Sequence, residues 1–168
     1  MPPNGYPSLR RGRQSIPGAD YFLTICARRP CTLLAEPPLL TAGFGELQRL
    51  EILGIWHTRC VVFMPDHIHL LLTLSAQADL SAAVRLFKGH LTPTLRKIKA
   101  AWQPSFYDHH LRDDENAQHV FIYIFLNPYR AQLCAIDAKW PGYYCATEDW
   151  AWFGEMTKKD GPEPAWLR

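Results

Sequence analysis

Two histidines, His67 and His69 in the run "MPDHIHLLLTL" (64–74), stand one residue apart in a stretch that otherwise reads as a buried strand. Side chains alternate along a strand, so both imidazoles point one way while Ile68, Leu70 and Leu72 point the other. At a Cα separation of about 7 Å, two such rings can converge on one ion. The same alternation also marks the solvent face of a half-buried strand, and an isolated His-x-His pair is compatible with both. The segment "HVFIYIFLNPYRAQL" (119–133) supplies a second element. Tyr123 and Asn127 are four residues apart and share one helical face. A carboxamide oxygen is an acceptable ligand for a hard cation such as Mg2+ or Mn2+. His67, His69 and Asn127 together could hold one metal and leave positions open for substrate and water. A phenol with a pKa of about 10 is a poor nucleophile at neutral pH unless a base or cation helps remove its proton. A metal-bound phosphodiester meets the other half of that difficulty, because the ion withdraws charge from phosphorus. The chemistry these residues make coherent is DNA strand cleavage by tyrosine attack. The competing reading packs Tyr123 among Val120, Phe121, Ile124 and Phe125, and Pro128 disfavours helical geometry at Asn127.

The elements that must position these groups follow from pattern. Residues 1–19, rich in Pro, Gly and Arg, read as an irregular basic arm. "YFLTICA" (21–27) reads as a first strand. "AEPPLLTAG" (35–43) reads as a proline-rich loop, and Phe44 to His57 as a helix with Leu47, Leu50, Ile52, Leu53 and Ile55 near a helical period. "CVVFM" and "HIHLLLTL" read as two antiparallel strands joined by a tight turn at Pro65 and Asp66. "ADLSAAVRLFKGHLTPTLRKI" (78–98) is an amphipathic helix with a basic face, disturbed by Pro93. A short strand is expected at 106–111, and a helix starting near Asp113 or Asp114, whose carboxylate would cap it. This order implies an α+β sandwich, helices against a mainly antiparallel sheet, with the histidine strand central.

Composition sets the outer bounds. With 168 residues, 48% of them hydrophobic, the chain is long enough for one core of its own, expected as a single domain over 20–150 with a tail at 151–168. A formal charge of +2 is too small to announce a nucleic-acid binder, so any such role rests on local clusters such as Arg10, Arg11 and Arg13, or Arg85 and Lys88. Five cysteines form no C-x-x-C pair and suggest neither a zinc knuckle nor a disulfide framework, which fits a reducing cytoplasm. No signal peptide is visible, and no apolar run approaches the roughly 20 residues that cross a bilayer. The expectation is a cytoplasmic protein without membrane contact.

The pieces "GRQSIPGADYFLTICARRP", "VVFMPDHIHLLL", "LFKGHLTPTLR", "WQPSFYDHHLRDDENAQH" and "YIFLNPYRAQL" resemble, in order and spacing, the REP-associated tyrosine transposases, single-tyrosine members of the HUH endonuclease superfamily. The resemblance spans roughly residues 12 to 134. It implies a ferredoxin-like sandwich, His67 and His69 as metal ligands completed by Asn127, and Tyr123 as the nucleophile that forms a 5′-phosphotyrosine and frees a 3′-OH. It also implies a substrate of single-stranded DNA folded into imperfect palindromic hairpins, cut and rejoined near the hairpin foot, and Mg2+ or Mn2+ as cofactor. Arg11, Gly12 and Arg13 would then form an arm reaching the hairpin, with Arg85 and Lys88 as further DNA-binding residues whose phosphate contacts weaken with salt. Phe106 and Tyr107 are candidates for stacking on unpaired bases. Asp66, Asp108, His109 and His110 are candidate partners of the metal ligands.

The chain departs from the family pattern in three places. Tyr129 stands where a small aliphatic residue is usual, "WPGYYC" (140–145) matches a Trp-Pro-x-Ser-Ser box only in part, and the tail from Glu148 has no counterpart. Two other readings compete: a zinc hydrolase using Asp66 as third ligand, which lacks an H-E-x-x-H signature, and a DNA-hairpin binding module without catalysis. Pattern alone leaves open whether the protein is a monomer or a homodimer.

Overall fold

The computed structural model describes residues 15–28, 31–76, 78–112, 115, 117–135 and 138–151. Its elements run β1 (Asp20–Cys26), α1 (Pro37–Ile52), β2 (Trp56–Phe63), β3 (His67–Leu74), α2 (Leu80–Lys97), β4 (Tyr107–His110), α3 (Ala117–Arg130) and β5 (Tyr143–Cys145). A further helix begins at residue 147 and is described as far as 151. The strands form one antiparallel sheet in the order β4-β1-β3-β2-β5, so the histidine strand is central. The order of the first four strands, with α1 and α2 as crossovers, is the ferredoxin-like arrangement that the sequence implies. β5 extends it at one edge.

Alternation along the strands separates two cores. Tyr21, Leu23 and Ile25 of β1 and Ile68, Leu70 and Leu72 of β3 pack with the apolar stripes of α1 and α2. Cys60, Val62 and Leu71 on the other face pack with Phe121 and Ile124 of α3. His67 and His69 therefore belong to the face that α3 covers. The turn before them is closed by the Met64 amide donating to the His67 carbonyl at 2.8 Å. Pro65 is tolerated because it lies in this turn, outside the strand ladder.

One bulge ties the α3 face together. The β2–β3 register shifts between Thr58 and Cys60, which leaves Arg59 as an extra residue. Its guanidinium donates to Asp20 at 2.5 Å and to Asp149 at 2.6 Å, and it lies 5.1 Å from the centre of the Phe121 ring. This one side chain thus connects the start of β1, the helix beginning at 147 and α3.

The expected loop at 35–43 is instead largely helix: α1 starts at Pro37, and its two prolines occupy the first helical positions. A proline there loses only an N–H that has no intrahelical partner anyway, and its fixed φ suits the helix. The helix expected to reach His57 ends at Ile52. Gly54 adopts φ 63°; its amide bonds the Glu51 carbonyl and the Ile55 amide bonds the Leu50 carbonyl, both at 2.9 Å, a Schellman closure. The released residues Trp56 and His57 enter β2. α2 passes through Pro93 without interruption. α3 is assigned from Ala117, and the capping positions proposed at Asp113 and Asp114 lie outside the described residues. β5, within the "WPGYYC" segment, was not expected. Among the described residues no helix is long and apolar enough to cross a membrane.

Two glycines of α1 should respond oppositely to substitution. A Cβ on Gly43 would run into the Phe63 ring, whereas Gly45 faces open space. Gly43→Val is expected to cost about 1–3 kcal/mol through overpacking. Gly45→Ala should stabilise by up to about 1 kcal/mol through helix propensity. Urea denaturation of both variants checks the pair.

Candidate active site

The two imidazoles meet tip to tip, with the Nε2 atoms of His67 and His69 3.0 Å apart. Each ring is held from behind through its Nδ1. The turn that closes the β2–β3 hairpin sets Asp66 beside His67, and the Asp66 carboxylate accepts from the His67 Nδ1 at 2.6 Å. Because a carboxylate only accepts, the proton of a neutral His67 ring sits on Nδ1, and its Nε2 lone pair faces the shared point. In the β1–β3 register Thr24 pairs with His69, and its hydroxyl stands 3.0 Å from the His69 Nδ1. Such anchoring fixes ring orientation and raises ligand basicity in metal sites.

Burial, and after it the neighbouring His67, push the His69 pKa down to about 3. At neutral pH this ring is therefore uncharged, the form that binds a metal. Phe22 forms the floor: its ring stacks on His69 at 5.4 Å and 27° and meets Tyr123 edge-on at 5.8 Å and 89°.

Tyr123 reaches this point from α3. Its hydroxyl lies 3.3 Å from the His69 Nε2, and at 40% exposure the side chain remains open to a macromolecular substrate. Asn127 follows one turn later on the same helix, half-buried, and α3 stays helical through Asn127 and Pro128. The i, i+4 relation that the sequence suggests is thus kept. Tyr129, the second phenol of the segment, is engaged elsewhere, donating to the Ala138 carbonyl at 3.0 Å and packing against Phe125.

The residues present suit a divalent ion. Two ring nitrogens with anchored backs converge, and Asn127 stands one turn beyond Tyr123 on α3. Among the described residues no group of three His, Cys, Asp or Glu side chains could hold a metal. That fits a mixed imidazole–carboxamide set better than the zinc hydrolase reading, since Asp66 engages the nitrogen of His67 that faces away from the shared point.

Other sequence candidates fall elsewhere. Arg11, Gly12 and Arg13 lie outside the described residues. Arg85 and Lys88 sit on α2, across the sheet from the histidines, where the Lys88 ammonium donates to the Gln103 carbonyl at 2.6 Å. His109 shares the histidine face and pairs with Glu115 at 2.7 Å. Asp108 and His110 point to the opposite face. Phe22 and Thr24 were missed; their only signal is alternation with Tyr21, Leu23 and Ile25 in "YFLTICA".

No protein-family model matches the chain. Over 135 residues, 77% of the chain and 78% of the relative, it is 27% identical to the REP-associated tyrosine transposase of Escherichia coli (strain K12). The chain is thus similar to the REP-associated tyrosine transposases. The fold agrees: a solved structure of a REP-associated tyrosine transposase bound to a REP hairpin superposes with a TM-score of 0.66 at 26% identity, over 78% of this chain and 79% of that one.

Loss of either anchor should loosen the donor pair. Asp66→Asn and Thr24→Val are each expected to weaken Mn2+ binding by about 10- to 100-fold, read by isothermal titration calorimetry, with little change in thermal stability. His69 also predicts an acid response. Its unfolded pKa is 6.5 and its folded value about 3, so the unfolded chain gains a proton first. The stability involved is present above pH 6.5 and is lost as pH falls through that window. In EDTA, wild type should lose more unfolding free energy between pH 7 and 5 than His69→Gln does.

Proposed function

We propose that the chain is a metal-dependent endonuclease and strand transferase for single-stranded DNA. It cleaves and rejoins hairpin-forming palindromic repeats through a covalent 5′-phosphotyrosine at Tyr123. The observation that carries this reading is the exposed Tyr123 hydroxyl, 3.3 Å from one of two convergent histidine nitrogens. Kinship with tyrosine transposases, one of them solved with a REP hairpin, supports the choice of DNA over other phosphodiesters.

Tyr123 contributes the nucleophile. Its phenolic oxygen forms a bond to phosphorus while the bond from phosphorus to the 3′ oxygen breaks. The proton lost by the phenol is matched by the one gained at the departing 3′-OH, so the exchange is neutral overall. Attack of a 3′-OH on the phosphotyrosine reverses the balance, frees the phenol and rejoins the strand. Little energy is lost in this exchange of one ester for another, which suits transfer as well as cleavage. Phe22 restrains the tyrosine ring laterally, and the half-buried face around His69 keeps bulk water from one side of the reaction centre. A bound Mg2+ or Mn2+, held by His67, His69 and Asn127, would polarise the phosphodiester and help the phenol lose its proton.

Wild type, Tyr123→Phe and His67→Ala are to be incubated with an end-labelled palindromic hairpin and Mn2+ or Mg2+, then run on a denaturing gel. The expected result is a protein–DNA adduct with wild type only and with metal only. His67→Ala should lose cleavage by at least about 100-fold while binding the hairpin nearly as well. An adduct persisting in Tyr123→Phe moves the nucleophile elsewhere. Hairpin binding by wild type with no cleavage under any metal would favour a binding module.

A further inference from the structure

On the α2 side of the sheet, away from Tyr123, lies a cavity of about 650 Å³. Arg85, Lys88 and Gly89 of α2 line it together with Trp102, Gln103 and Phe106. Its lining includes two cations and two aromatic rings and no carboxylate. The walls are braced. The Trp102 indole donates to the Lys88 carbonyl at 3.0 Å, and the Lys88 ammonium donates back to the Gln103 carbonyl at 2.6 Å.

One wall of the cavity, Trp102 and Gln103, lies at the same end of the sheet as His67. Trp102 bridges to Ala27, and the Gln103 amide bonds the Cys26 carbonyl at 2.9 Å; Cys26 is the register partner of His67. The segment then becomes β4, the edge strand. Phe106 lines the cavity, while the next residue, Tyr107, pairs with Thr24 and lies on the reaction face, 48% exposed and edge-on to Phe22. One sheet edge thus joins the two faces through consecutive aromatic side chains.

We propose that this cavity takes one unpaired nucleotide of the DNA strand on which Tyr123 acts, the strand passing over the β4 edge. The inference rests on the function proposed above. A base can enter between aromatic walls only after leaving its own stack, so the ligand is unpaired, and Arg85 supplies the charge for its phosphate. The strand's path makes the cavity a specificity determinant for sequence beside the cleaved bond, not for the duplex stem.

Gly89 permits a clean test, since a Cβ there meets nothing within 4 Å and a larger side chain projects into open space beside the cavity. Gly89→Glu, Gly89→Ala and wild type are compared by fluorescence anisotropy on one hairpin stem, with and without unpaired flanks. Gly89→Glu should bind the flanked hairpin at least about tenfold more weakly and the blunt hairpin unchanged, with Gly89→Ala like wild type. If Gly89→Glu does not fold, Arg85→Gln carries the same comparison from an exposed position. Undiminished binding of the flanked hairpin, or equal loss on both hairpins, overturns the cavity assignment while leaving the DNA reading intact. Failure of wild type to bind either hairpin overturns the DNA reading itself and this inference with it.

Discussion

Two imidazole nitrogens held 3.0 Å apart constrain the rest of this molecule. Such closeness requires that the two rings are not both charged, since two imidazolium ions at that separation would repel strongly. Burial meets that condition, and the other neighbours orient the rings. Burial keeps His69 neutral, Asp66 holds His67 by its Nδ1 so that Nε2 points inward, and Thr24 fixes the far side of His69. None of these partners is an insertion for the purpose. Each is where it is because the sheet register and a two-residue turn put it there.

The central position of β3 follows from the same need. A strand with neighbours on both sides has its backbone bonded on each edge, so side chains on its two faces hold their directions closely. One face of β3 is given to the large core under α1 and α2, and the opposite face to a smaller core and to the reactive groups. Stability and chemistry are thus separated by alternation within a single strand. The cost is that α3, which brings Tyr123, rests on the smaller core. The Arg59 bulge compensates by binding the start of β1, Asp149 and the Phe121 ring into one cluster.

α3 itself delivers groups of different kinds from successive turns. Phe121 and Ile124 anchor the helix to the sheet, Tyr123 lies beside them with its hydroxyl at the histidines, and Phe125 turns to the aromatic cluster of Tyr143 and Trp150. A helix gripped along two sides offers a nucleophile with little freedom to swing, which favours attack along one line. The hairpin-bound structure shares this architecture at 26% identity. At that distance the arrangement of elements persists more readily than the surface residues that contact a particular sequence.

Much of the centre could be read from residue order, because its geometry is local. The period of two in "HIHLLLTL" puts His67 and His69 on one side, and the period of 3.6 in α3 relates Tyr123 to Asn127; neither needs knowledge of the remaining chain. Local logic failed at the start of α1, where prolines read as loop residues were in fact at the helix N-terminus, and at its end, where Gly54 closes the helix early. It was silent on Phe22 and Thr24, whose roles depend on the β1–β3 register, a pairing of residues some 45 positions apart. Arg85 and Lys88 make the contrast sharpest: they follow β3 closely in sequence yet lie across the sheet from its histidines. Sequence by itself determined which chemical groups share a face of one strand or one helix, because that is set by backbone periodicity. Which faces meet, and which residues anchor them from behind, was decided only by tertiary structure, because strand register and helix packing come from the burial of side chains far apart in the chain.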